Sequence, residues 1–223
     1  MKKPQVLLFD VNETLLDLSS MKTEINDSLG HEFAFNQWFA MLLHYSLVSN
    51  ETNLYQPFGA VGKATLRMAA QALGCEVSDE EIGRLVKLIL QRPPHPEIFE
   101  NLTRLQNTGY RLATLTNSAE DALKKQMEFA ELTPFFEALL SVDAVGKYKP
   151  HPDTYRMAAR HLNVPMEEIL MVAAHGWDIA GAGSAGMQTA FLARPGQALY
   201  PLAPQPHYLA SDLAQLTDQL IHL

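Results

Sequence analysis

Four consecutive apolar side chains, Val6-Leu7-Leu8-Phe9, run into an aspartate, Asp10. An unbroken apolar run of this length fits a strand buried on both faces of a parallel sheet. From about Ser19 to Leu90 the apolar positions recur at spacings of three and four, the period of helices that bury one stripe. Trp38-Phe39, Leu42-Leu43 and Tyr45-Ser46-Leu47 mark one such helix, and Leu66, Ala69-Ala70 and Leu73 another, which Gly74 stops. Ser78 followed by Asp79-Glu80-Glu81 reads as an N-cap with an acidic first turn, opening the next helix.

Arg92-Pro93-Pro94-His95-Pro96 ends this helical stretch, because proline cannot continue a helix. Beyond it the rhythm alternates. A helix from about Glu97 to Thr108 stops at Gly109, a strand covers Arg111 to Leu115, and a helix follows from about Ala119 to Glu131. A strand near Ala138 to Val142, a helix from Pro152 to Leu162 and a doubly buried strand at Ile169 to Val172 come next. A glycine-rich helix near Ala180 to Gly186, a strand at Thr189 to Ala193, a short strand at Tyr208-Leu209 and a helix after Ser211 complete the chain. Alternating strands and helices imply parallel pairing with right-handed crossovers. The expected fold is therefore α/β: a doubly wound, Rossmann-like parallel-sheet core (1–16 and 95–223) with an α-helical cap inserted at 17–94.

Composition narrows the function classes. In 223 residues, 25 acidic against 17 basic side chains give a net charge of −8, which argues against a nucleic-acid binder but leaves room for a small anionic substrate. The single cysteine, Cys75, excludes an intrachain disulfide and a cysteine-rich zinc site, and it suits a reducing, cytoplasmic setting. The N-terminal apolar run is too short for a signal core or a membrane span, so the chain reads as soluble and without a membrane partner.

In open parallel sheets ligands bind beyond the carboxyl ends of the strands. Asp10 and Thr14 follow the first strand, Thr116-Asn117-Ser118 the second, Lys147-Tyr148-Lys149-Pro150 the third, and Ala174-His175-Gly176-Trp177-Asp178 the fourth. Each taken singly has a blander reading. Asp10, Thr116 and Asp178 could be turn or helix caps, Lys149 a solvated lysine, His175 a packed loop histidine and Trp177 a core residue. Together they place two carboxylates, a lysine, an amide and hydroxyls on one rim, a coherent set for nucleophilic catalysis by a carboxylate. No Walker loop, dinucleotide fingerprint, metal-binding histidine pair or serine elbow competes with them. Gly181-Ala182-Gly183 reads as small residues that ease helix packing.

These four motifs in order, Phe9-Asp10-Val11-Asn12-Glu13-Thr14-Leu15, Thr116-Asn117, Tyr148-Lys149-Pro150 with Tyr155, and His175-Gly176-Trp177-Asp178, resemble the haloacid dehalogenase superfamily over the whole chain. The last two look most like its type II haloacid dehalogenase branch. The resemblance implies that Asp10 is a nucleophile oriented by Thr14. It implies that Thr116 and Asn117 bind the substrate carboxylate or the departing halide, and that Lys149 neutralises the nucleophile's charge. By the same resemblance Tyr155 supports the lysine's surroundings and Asp178 sits near Lys149 to position or activate water.

Asn12 stands where phosphatases of the superfamily carry a general-acid aspartate, and a halide leaving group needs no such acid. Water attack on an Asp10 ester would then release a 2-hydroxy acid. No metal is required, although Asp10 and Asp178 could hold a Mg²⁺. His175 occupies a place where related dehalogenases often carry asparagine, Glu13 one where the turn usually holds glycine, and Phe39 or a neighbour replaces a cap arginine near the halide. Related dehalogenases are commonly dimers, so a homodimer is compatible with the chain. Two other readings stay open: a Mg²⁺-dependent phosphatase acting on a small phosphate ester, and a repurposed protein of this fold without dehalogenase activity.

Overall fold

The structure, a computed structural model, describes residues 2–222. Six strands, β1 (Val6–Phe9), β2 (Arg111–Thr116), β3 (Ala138–Ser141), β4 (Ile169–Ala173), β5 (Gln188–Leu192) and β6 (Tyr208–Ala210), form one sheet in the order 3-2-1-4-5-6. Every adjacent pair is parallel. This is the doubly wound order, whose direction of winding reverses beside β1, so that a crevice opens where β1 and β4 end. Asp10 is the first residue past β1 and its N–H donates to the Val172 carbonyl of β4 at 3.0 Å, which places it in that crevice.

The central strands β1 and β4 are apolar throughout because both faces are covered. Val6 and Leu8 point to one side, among Tyr155 and Ala158 of α7 (Pro152–Leu162) and Ile179 and Ala182 of α8 (Gly176–Ala185). Leu7 and Phe9 point to the other. There they meet apolar residues of α5 (Ile98–Asn107), α6 (Glu120–Phe129) and α9 (Leu213–Leu220), as the two-residue period of a strand requires.

Between β1 and α5 lie four helices, α1 (Ser19–Leu29), α2 (Ala34–Thr52), α3 (Phe58–Ala72) and α4 (Asp79–Lys87), and a short 3-10 turn, Leu88–Gln91. In α2 the buried positions are Ala34, Phe35, Trp38, Leu42, Ser46 and Asn50, the helical stripe read from the sequence. Ser78 accepts the Glu81 N–H as the cap of α4, and α3 gives way to Gly74 at φ 70°. The stripes of these helices join the α7–α8 face of the sheet in one continuous apolar cluster.

Polar ties reinforce that join. The Asn50 amide donates to the Tyr148 carbonyl at 2.9 Å and accepts the Tyr148 N–H at 2.8 Å. Tyr55 pairs with Asp143, and the Tyr148 hydroxyl donates to the Gln56 carbonyl. The end of α2 therefore brackets the backbone immediately before Lys149.

The largest departure from the sequence reading is α8. It begins at Gly176, directly after β4, rather than near Ala180. The glycine at this first helical position has a packing cause. A Cβ there would lie 2.4 Å from the Ala198 carbonyl, so the glycine admits the loop after β5 onto the first turn of α8. A Cβ on Gly181 would lie 2.3 Å from Pro150 Cβ and 2.7 Å from the Tyr155 hydroxyl, whereas Gly183 faces Thr189 of β5. Among the described residues no helix is long and apolar enough to cross a membrane.

Candidate active site

Four strand ends converge on Asp10. The turn after β1 carries Thr14, whose hydroxyl donates to Asp10 Oδ2 at 2.7 Å and accepts the Ala174 N–H at 3.0 Å from the end of β4. Lys149, from the segment after β3, spends all three ammonium protons: on Asp10 Oδ1 at 2.9 Å, Asp178 Oδ2 at 2.6 Å and the Leu115 carbonyl at 2.9 Å. The other oxygen of Asp178 accepts from the Tyr155 hydroxyl at 2.6 Å. Asn117 accepts the backbone N–H of Lys149 at 2.9 Å through its carbonyl oxygen, which leaves its NH₂ free to turn toward a ligand. Thr116 Oγ1 accepts the Ser118 N–H at 3.2 Å.

The helix-cap and solvated-lysine readings fail on these contacts, whereas Thr116 does cap its own turn through the Ser118 N–H. Asp10 and Asp178 cap no helix, and Ala119, not Thr116 or Asn117, occupies the N-cap of α6. Lys149 is not solvated, since its side chain is 0% exposed.

A buried lysine between two buried carboxylates fixes the charge state of the site. Burial alone would raise the Asp10 carboxyl. The Lys149 ammonium and the His175 ring outweigh it and hold Asp10 well below the usual carboxylate range. Burial depresses Lys149, but Asp10 and Asp178 more than offset this and keep it protonated. Asp178 is raised, chiefly by burial and further by the charge of Asp10, against the opposing pull of Lys149. Tyr155 is held well above its ordinary value by burial and by Asp178, so it stays a donor. Asp10 is thus an ionised carboxylate with both oxygens held in place.

Three residues remarked on separately in the sequence meet above it. His175 Nδ1 lies 3.2 Å from Asp10 Oδ2, and Nε2 lies 2.9 Å from Glu13 Oε2. Burial pushes the imidazole down, yet its hydrogen bonds to Asp10 and Glu13 and their charges lift it to about 9. The ring stacks between Phe39 of α2, 6.2 Å away at 27°, and Trp177 of α8, 5.2 Å away at 24°. Phe39 also stacks on Phe35 at 5.6 Å, so an aromatic column runs from the helical insert to the sheet. Phe39 presents an aromatic face, and the positive charge sits across from it on His175, an arrangement that favours both. Glu13 has φ 61°, the left-handed region that glycine adopts without strain.

Asn12 points away from Asp10. Its NH₂ donates to Ser118 Oγ at 3.2 Å and its carbonyl oxygen accepts from Gln126 Nε2 at 2.8 Å. Gln126 is fully buried on α6 and carries no signal in the sequence beyond its place on a helix. Beside Asn12 and Ser118 opens a cleft of about 240 Å³ walled by Trp38, Phe39, Leu42 and Phe58. Among the described residues its charged lining is Lys63 and Lys87, both exposed.

A cation between Asp10 and Asp178 does not fit, because the Lys149 ammonium already bridges them. Among the described residues no group of three or more His, Cys, Asp or Glu side chains is arranged to hold a metal.

The chain is similar to known proteins over most of its length. A family model for haloacid dehalogenase-like hydrolases matches residues 4–186. The chain is 30% identical over 195 residues to an (S)-2-haloacid dehalogenase of Xanthobacter autotrophicus, covering 86% of this chain and 76% of that one. It is 25% identical over 224 residues to an (S)-2-haloacid dehalogenase of Pseudomonas fluorescens, covering 100% and 99% of the two chains. It superposes on the crystal structure of an L-2-haloacid dehalogenase with a TM-score of 0.94 at 26% identity, covering 98% of this chain and 99% of that one.

Proposed function

The chain belongs to the haloacid dehalogenase-like hydrolase family, and from that premise we propose that it hydrolyses the carbon–halogen bond of a small 2-haloalkanoic acid. The observation that carries this reading is the pairing of an ionised, fully held Asp10 with an amide, Asn12, where a leaving-group acid would stand. An amide has no proton to give an alkoxide, and halide needs none. Nothing in the site favours a phosphatase.

In the proposed reaction one oxygen of Asp10 attacks the carbon bearing the halogen, which leaves as halide with the bonding electrons. The product of this step is an Asp10 ester. Thr14 and Lys149 orient the carboxylate, and Asp178, itself held by Tyr155, fixes Lys149. The Asn117 NH₂ and the Thr116 hydroxyl receive the substrate carboxylate or the halide. Phe39, Trp177 and His175 close the side facing the insert, which at 17–94 acts as the cap. Water attacks the ester at Asp10 Cγ and frees the 2-hydroxy acid. The names of the relatives specify (S)-2-haloacids, and we take the same enantiomer as the substrate here.

A halide-release screen of 2-chloro, 2-bromo and fluoro acids, with and without EDTA, tests this. Halide release indifferent to EDTA is expected. Phosphate release abolished by EDTA, with no halide from any acid, contradicts it.

A further inference from the structure

Ester hydrolysis needs a base for water, and Asp178 is badly disposed to be it. Both of its oxygens are engaged, by Lys149 at 2.6 Å and Tyr155 at 2.6 Å, and its side chain is fully enclosed. His175 is better placed. Its Nδ1 touches the nucleophile at 3.2 Å, and its Nε2 is anchored on the Glu13 carboxylate at 2.9 Å. The base thus bridges the orienting carboxylate and the reacting carboxyl, the relation that activates nucleophiles in unrelated hydrolases. Phe39 and Trp177 hold the ring plane from either side. Glu13 keeps its carboxylate there from a left-handed backbone at φ 61°, a conformation that glycine would adopt without strain.

We propose that His175, oriented by Glu13, is the general base that delivers water to the Asp10 ester. The proposal rests on the dehalogenase reading above and adds a residue to its second half. The charged groups around the ring are Asp10 from the end of β1, Glu13 from the turn after it and, beyond Asp10, Lys149. In the free enzyme the two carboxylates keep the imidazole protonated. Alkylation of Asp10 removes one of them, so the ring can release its proton past Glu13, whose side chain is 20% exposed.

The neutral Nδ1 then takes a proton as a water oxygen bonds to Cγ. Collapse of the tetrahedral intermediate breaks the bond from Cγ to the alkyl oxygen. That alkoxide receives a proton from the imidazolium, and the new Asp10 carboxyl returns one to the ring. The cycle consumes one water and releases one halide and one proton, and the enzyme ends as it began.

The test is pre-steady-state halide release, followed by mass spectrometry of the quenched protein. In His175→Gln the first halide leaves in a burst of about one per active site. The steady rate then falls by roughly 10²–10⁴-fold, the share a general base commonly supplies, and the ester stays on Asp10. Added imidazole restores part of the steady rate, which a merely structural role would not allow. Glu13→Gln, a milder change, accumulates the same ester to a smaller extent. Linear release at the wild-type rate in His175→Gln overturns the proposal. So does loss of the burst itself, or ester accumulating in Asp178→Asn and not in His175→Gln. A wild-type protein that releases no halide overturns the dehalogenase reading instead.

Discussion

Replacing Glu13 by glycine sets two effects of known sign against each other. Glycine relieves the left-handed strain at φ 61°, worth about 1–2 kcal/mol, but makes the unfolded chain more flexible, a loss of ~0.4–1 kcal/mol. Relief alone therefore stabilises only slightly. Against it stands the lost bond from the buried His175 ring to Glu13 Oε2 at 2.9 Å. Hydrogen bonds to charged groups contribute ~1.5–3 kcal/mol, so the variant should be less stable by about 1–2 kcal/mol near neutral pH, a fall of roughly 3–6 °C in Tm for a chain of this size.

The difference should also depend on pH in a set direction. His175 is raised to about 9 in the folded protein, from an ordinary value of ~6.5. Its contribution is complete below the unfolded value and is lost as pH rises through about 9. Urea denaturation of both proteins at about pH 6 and about pH 10 should show the gap shrinking toward zero, or reversing slightly in favour of glycine. A gap that is constant or widens with pH would refute a charged His175 paired with Glu13.

Other changes test the rest of the site. Asp10→Asn should abolish halide release while circular dichroism shows the fold retained. Lys149→Met leaves two enclosed carboxylates facing each other without their cation, so denaturation should show a loss of about 3–5 kcal/mol, the usual result of removing one member of a buried pair. Gly181→Ala drives a methyl into Pro150 and the Tyr155 hydroxyl, and overpacking of this kind costs about 1–3 kcal/mol. Because Pro150 follows Lys149 and Tyr155 holds Asp178, kcat should fall along with stability, and a variant with wild-type kcat would show that those contacts do not tune the site.

The parts of the site legible in the sequence are those that follow an apolar run. Asp10 and Asp178 stand out because β1 and β4, buried on both faces, carry no polar residue until they end, and Asn117 and Lys149 join them because in a parallel sheet the strand ends share one rim. Chain rhythm does not say which strands are neighbours. That β1 lies between β2 and β4, and so sets Asp10 at the reversal of winding, emerges only from the pairing.

Side-chain meetings between distant segments are less visible still. Glu13, Phe39 and His175 lie far apart along the chain, and no periodicity indicates that they touch. Gln126, which holds Asn12, is one polar position on a helix until packing buries it. The early start of α8 was hidden for a related reason. The requirement for Gly176 comes from the loop that crosses it.

The central claim is that Asp10, not water, attacks the substrate carbon, and a single turnover in ¹⁸O-labelled water with enzyme in excess tests it most directly. The account predicts that the released 2-hydroxy acid carries an unlabelled oxygen from Asp10, while the peptide containing Asp10 gains the label. Label in the 2-hydroxy acid and none in Asp10 would contradict it.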